Sequence, residues 1–163
     1  MDLDIAIRPY RPDDLEGFVA VVRDLQRHEG ALYDRMLPAE AIGGWYAEIR
    51  LRECAEAGGV MLVAELDGAV AGYATLLLTV SSVEDQDEAD YLYAYIQDLG
   101  VAAGLRGRGI GTALIAACEE RARRAGRQWL RISVLAANAD AERLYRREGF
   151  EPHILTLEKP LAS

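Results

Sequence analysis

Residues 104–114 read GLRGRGIGTAL, four glycines and two arginines at the head of an apolar run that continues to Cys118. Glycine lets main-chain N–H groups approach a ligand closely, and a helix start flanked by guanidinium groups suits an anion. Two phosphate loops fail on the residues present. Gly104 and Gly109 have P-loop spacing, but Ile110 stands where that loop needs lysine. The dinucleotide fingerprint fails at Thr112, and no acid ends the strand at 129–134 to hold a ribose. The pattern that is met is [Q/R]xxGx[G/A], by Arg106, Gly109 and Gly111. Consecutive amides over Gly107, Arg108, Gly109, Ile110, Gly111 and Thr112 can wrap a diphosphate, and a side chain at 109 or 111 would hold it off.

Other chemistry-bearing positions flank this loop. YLYAYIQDLGV (91–101) is apolar on both alternating faces except at Gln97 and Asp98. An unpaired buried polar group costs about 2–7 kcal/mol, so Asp98 has either a structural partner such as a buried arginine or a task as a base. Gly100 within that strand predicts a bulge that frees main-chain groups. Asn138 reads as a helix cap ahead of Asp140 and Glu142, and Tyr145 sits at i+4 from Ala141 beside Leu144, a core position with a hydroxyl to place. VEDQDEAD (83–90) holds five carboxylates: a solvated turn or, with Glu29, Tyr33 and Asp34, an acidic collar that draws a polycation.

The elements that position these groups follow from periodicity and punctuation. IAIRPY (5–10) alternates as a strand, and Pro12, Asp13 and Asp14 open a helix to about Gln26, with Leu15, Phe18, Val19, Val22 and Leu25 on one face. A second helix spans Ala39 to Ala57 and stops at Gly58–Gly59. VMLVAEL (60–66) and AVAGYATLLLTV (69–80) form a hairpin about Asp67–Gly68. After the strand at 91–101, Gly109 to Ala125 is helical, supported by Glu119–Arg123 and Glu120–Arg124 pairs. WLRISV (129–134) is a strand, Asn138 to Gly149 a short helix, and Phe150 to Glu158 a closing strand. The order β-α-α-β-β-β-α-β-α-β predicts an α/β (α+β) fold, a mixed sheet with helices on both faces.

The bulk numbers are those of an ordinary globular chain: 163 residues, 51% hydrophobic and 28% charged. A net charge of −9 argues against nucleic acid as a partner and favours a cationic small molecule. No apolar run reaches membrane-span length and MDLDIAIRPY lacks signal-peptide character, so a cytoplasmic location is expected. Cys54 and Cys118 lack a metal-binding pattern and read as buried free thiols.

The glycine loop after a buried strand resembles the pyrophosphate loop of the GNAT superfamily of acyl-CoA-dependent N-acyltransferases. VLAANADAERLYRREGF (134–150) resembles the family's other signature, with Asn138, Ala141, Tyr145, Gly149 and Phe150 in its places. The resemblance covers nearly the whole chain and implies one N-acetyltransferase domain over residues 1–163. It implies a GNAT-like fold, acetyl-CoA as co-substrate without a metal, and direct acetyl transfer to a primary amine of a small molecule or peptide. A homodimer is common in such a family. The residues implied to hold acetyl-CoA are Leu99 and Val101, by main-chain pairing, then Arg106 through Thr112, Asn138 and Tyr145. Tyr145 is the implied proton donor to the departing thiolate, and Asp98 is the candidate base. An amine of pKa near 10.4 is neutral in only about one molecule in 2,500 at pH 7, so a base or water path is needed. The alternative implied by the same residues is a non-catalytic CoA-binding regulatory module.

Overall fold

The computed structural model describes residues 4–83 and 89–161. Five strands lie in the order β1-β2-β3-β4-β5: β1 (Ala6–Pro9), β2 (Val60–Leu66), β3 (Ala69–Ser81), β4 (Leu92–Val101) and β5 (Leu130–Ile132). All neighbours are antiparallel except β4 and β5, which run parallel. The β2–β3 turn takes positive φ at both Asp67 (52°) and Gly68 (77°), the two-residue geometry whose twist suits a hairpin.

Side-chain alternation divides the sheet into two apolar faces. Met61 and Tyr73 point to α1 (Leu15–Gly30) and α2 (Gly44–Glu56), where they join Phe18, Val21, Val22, Ile42 and Ala47. Leu62, Ala74, Leu76, Ala94 and Ile96 point to α3 (Ile110–Arg124) and α4 (Ala139–Arg147), against Ile110, Leu114, Ile115 and Tyr145. The mixed sheet with helices on both faces is the architecture expected from the sequence. Cys54 and Cys118 are buried free thiols, pushed up to about 11 and about 12 by that burial.

Three expectations need correction. α1 runs to Gly30 rather than Gln26, and the second helix divides into a 3-10 turn at Ala39–Ala41 and α2. No strand forms after α4: residues 151–161 lie exposed without a ladder. Pro152 and Pro160 bracket that segment and cannot donate to a neighbour, and β5 is only three residues long. The acidic run is described only at Val83, Ala89 and Asp90, so the proposed collar at 84–88 lies outside the described residues. No helix among the described residues is long and apolar enough to cross a membrane.

The outer end of the sheet is closed by an ion pair between a buried Asp14 and a partly buried Arg8. Arg8 donates to both oxygens of Asp14 at 2.8 Å, and the Arg11 amide donates to Asp14 Oδ2 at 2.7 Å. Arg8 also donates from Nε to Glu65 at 2.7 Å. Those donors from Arg8 hold the Asp14 carboxyl below its usual range, against the opposing effect of burial. The pair therefore stabilises the fold fully above the ordinary carboxylate pKa, and its contribution is lost as pH falls through the lowered native value. Asp14→Asn should flatten this acid limb in urea titrations. Arg8→Met should lower the midpoint further, because it strands a buried carboxylate whereas Asp14→Asn leaves Arg8 its partner Glu65.

Candidate active site

β4 is fully laddered on one side only. It pairs with β3 from Leu92 to Val101, but with β5 only from Ala94 to Ile96. From Gln97 onward its second edge is open. The amides of Asp98 and Ala102 point at β3, to Thr75 Oγ1 (3.0 Å) and Ala71 O (2.9 Å). Alternation then turns the amides of Leu99 and Val101 toward the open edge.

The irregularity in β4 is not at Gly100. Gly100 is in register with Tyr73, and a Cβ there would lie 2.6 Å from Tyr73 Cε1, so the glycine makes room for a buried ring. The bulge falls at Gln97, where the register steps from Thr75–Asp98 to Leu76–Ile96. An extra residue puts consecutive side chains on one face, and both Gln97 and Asp98 reach α2. Gln97 Nε2 donates to Glu53 Oε2 at 2.8 Å, and Tyr46 Oη donates to Asp98 Oδ2 at 2.6 Å. Arg50 lies 2.7 Å from Asp98 Oδ2 through Nε and 2.7 Å from Glu53 through its terminal nitrogen. Asp98 thus has an arginine partner, partly buried, of the kind that sequence left as one of two choices. Burial still holds its carboxyl above the usual range, with Arg50 and the Tyr46 hydroxyl acting the other way.

The glycine loop follows β4 directly. A 3-10 turn at Ala103–Leu105 is fixed to α1 by the Ala103 amide on Asp24 Oδ2 (2.9 Å). Gly107 and Gly109 then take φ of 74° and 85°, and α3 starts without a side-chain cap. The amides of Ile110, Gly111 and Thr112 in its first turn have no partner within the helix. Around Gly109 nothing lies within 4 Å of a would-be Cβ, whereas at Gly111 it would meet Leu144 Cδ2 at 2.9 Å. Gly111 is thus needed first for packing of α3 on α4, and Gly109 for the backbone turn. The Ile110 side chain is core, and the Thr112 hydroxyl donates to Glu148 Oε1 at 2.7 Å, which leaves each an amide for a ligand. Arg106 is exposed and reaches the Asp24 carbonyl at 3.4 Å; Arg108 is exposed and forms no ion pair among the described residues.

α4 packs beside the start of α3, with Leu144 against Gly111. Asn138 is buried; its Oδ1 accepts from the Ala141 amide at 3.2 Å and lies 3.4 Å from His28 Nε2. The cap predicted from sequence forms, and the side-chain amide nitrogen remains for a ligand. Tyr145 is 9% exposed, with its ring edge-on to Phe150 and its hydroxyl unpartnered among the described residues. Its phenol is pushed up to about 12 by burial, then by the charges of Glu29 and Asp98, so it stays neutral near pH 7. His28, Arg50 and Tyr46 belong to this site and escaped the sequence reading. Their contacts span 110, 48 and 52 residues, and only the i, i+4 spacing of Tyr46 and Arg50 hinted that those two act together.

Residues 18–150 match the model of the Acetyltransferase (GNAT) family. A mycothiol acetyltransferase from Sanguibacter keddieii is 28% identical over 150 residues, 90% of this chain. This chain spans 43% of that protein's length. A protein from Bacillus halodurans shares the fold with a TM-score of 0.85 at 20% identity, covering 96% of this chain and 99% of that one. An aminoglycoside N-acetyltransferase, AAC(6')-Iy, in complex with CoA, superposes with a TM-score of 0.68 at 18% identity over 99% of this chain and 98% of that one.

The contact at Gly100 sets a test. Gly100→Ala should destabilise the protein by about 1–3 kcal/mol through overpacking on Tyr73, read from the urea midpoint. Gly104→Ala, with open space around its Cβ, should leave that midpoint unchanged.

Proposed function

Because the chain belongs to the Acetyltransferase (GNAT) family, we propose that it moves an acetyl group from acetyl-CoA directly to a primary amine of a small molecule or peptide. The observation that carries this reading is the open edge of β4 leading straight into the uncapped start of α3. An extended pantetheine arm fits the first, bonded by the main chain of Leu99 and Val101 in the manner of an added strand. A diphosphate fits the second, where amides from Gly107 to Thr112 and the guanidinium of Arg106 or Arg108 offer donors and positive charge. The amide nitrogen of Asn138, unpartnered among the described residues, can donate to the arm.

Acetyl-CoA supplies a thioester, whose acyl carbon is open to attack by a neutral amine. The protein's part is to orient the two and handle two protons. Tyr145, kept neutral by burial, can donate a hydrogen bond to the departing sulfur and pass it a proton. Asp98 is the base named from sequence, and its raised pKa suits that role. Its bonds to Arg50 and Tyr46 favour a second reading in which the fold binds CoA without turnover.

Release of free CoA from acetyl-CoA separates the two readings when an aminoglycoside, a polyamine, a free amino acid and a peptide are offered in turn. Amine-dependent thiol release is expected with at least one. Binding of CoA without release from any would favour the regulatory module. In the active case, Tyr145→Phe should lower kcat by about 10²-fold or more while KM for acetyl-CoA changes far less; unchanged turnover would remove Tyr145 from proton donation.

A further inference from the structure

The last turn of α1 carries a carboxylate to which this reading gives no task. Phe18, Val22, Leu25 and Glu29 fall at i, i+4, i+7 and i+11, one stripe of the helix. Phe18 and Val22 are at most 2% exposed, and Leu25 packs on the same cluster. The stripe carries Glu29 to the side of α1 that lies on β3 and β4. The neighbouring His28 ties this turn to the cap of α4 through Asn138, so Glu29 is held next to the helix that bears Tyr145. Among the described residues its carboxylate has neither a hydrogen bond nor an ion pair.

A second group feels the same charge. The Tyr73 hydroxyl is wholly buried and has no hydrogen-bond partner among the described residues. The charges that act on it are those of Asp98, Tyr46, Arg50 and Glu29. The Tyr145 hydroxyl, also unpartnered, senses Glu29 and Asp98. The Tyr73 phenol on the α1–α2 face of the sheet and the Tyr145 phenol on the α3–α4 face thus both lie within the electrostatic reach of the unpaired Glu29 carboxylate. Asp98 differs from Glu29 in having the Arg50 guanidinium and the Tyr46 hydroxyl against its Oδ2.

We propose that Glu29, rather than Asp98, receives the acceptor as its ammonium ion and removes the proton that must leave before the nitrogen can attack. The inference rests on the acetyl-transfer reading above and names the group that completes it. The ammonium gives one proton to Glu29, leaving a neutral amine whose lone pair forms the new C–N bond as the C–S bond breaks. The second proton lost by nitrogen ends on sulfur by way of Tyr145, and Glu29 returns its proton to solvent. The products are an amide, free CoA and one proton. An unpaired, half-buried carboxylate is the group a cation stabilises most. Burial, reinforced by Asp98 and opposed by His28, raises the Glu29 carboxyl and so brings it nearer to an amine in proton affinity.

The test is the pH dependence of kcat/KM for the acceptor turned over fastest in the amine screen. The titratable groups coupled to Glu29 are His28 on its own helix, Tyr73 on β3, Asp98 on β4 and Tyr145 on α4. Glu29 must be ionised to act, so activity should fall as pH drops through its raised pKa. Glu29→Gln should lower kcat/KM by about 10²-fold or more and remove that limb, while thermal stability and the affinity for CoA stay unchanged. Glu29→Asp should keep the limb. Full activity in Glu29→Gln, or a loss of activity with the limb intact, would overturn the assignment and leave acetyl transfer standing. A wild-type protein that transfers acetyl to none of the amines overturns both.

Discussion

β4 bonds a neighbour along its whole length on one side and for three residues on the other, and the functional reading depends on that asymmetry. A strand in the middle of a sheet cannot leave main-chain groups unpaired without compensation. Here the open stretch is joined, through the 3-10 turn at Ala103–Leu105, to a helix start whose amides are also free. The chain thereby presents a run of donors in two parts, first extended and then curled. A ligand with an extended polar arm and a diphosphate at its end matches that run in both shape and charge.

The bulge at Gln97 sets up the opposite wall. By turning Gln97 and Asp98 to one side, it gathers Tyr46, Arg50 and Glu53 of α2 into a partly buried network. Such a network is worth little as net stability, because desolvation of the charges offsets their attraction. Its value is rigidity: it fixes β4 against α2 where the other edge has lost its support. Tyr73 fills the remaining space, its ring edge-on to Phe18 at 4.8 Å and resting on the bare backbone of Gly100.

Much of this was legible in the sequence, for physical reasons that act locally. The Asp67–Gly68 turn, the Asn138 cap and the apolar stripes depend on neighbours a few residues away. So does the pairing of Glu119 with Arg123, present here at 3.2 Å. The partner of Asp98 was foreseen as a type but not as Arg50, because a contact across 48 residues leaves no local pattern. Gly100 was read as a bulge because glycine in a strand has two causes, an irregular ladder or a large neighbour, and the sequence does not show what lies opposite. The closing strand failed similarly. Its composition suits a ladder, but a strand forms only where an edge is available, and β5 offers three residues.

The measurement that tests the account most directly follows backbone amide resonances as CoA is titrated into uniformly 15N-labelled protein. The largest shifts should fall on Leu99, Val101 and the run from Gly107 to Thr112, with no matching response to NAD. Shifts that spare those amides and cluster on another face would contradict it.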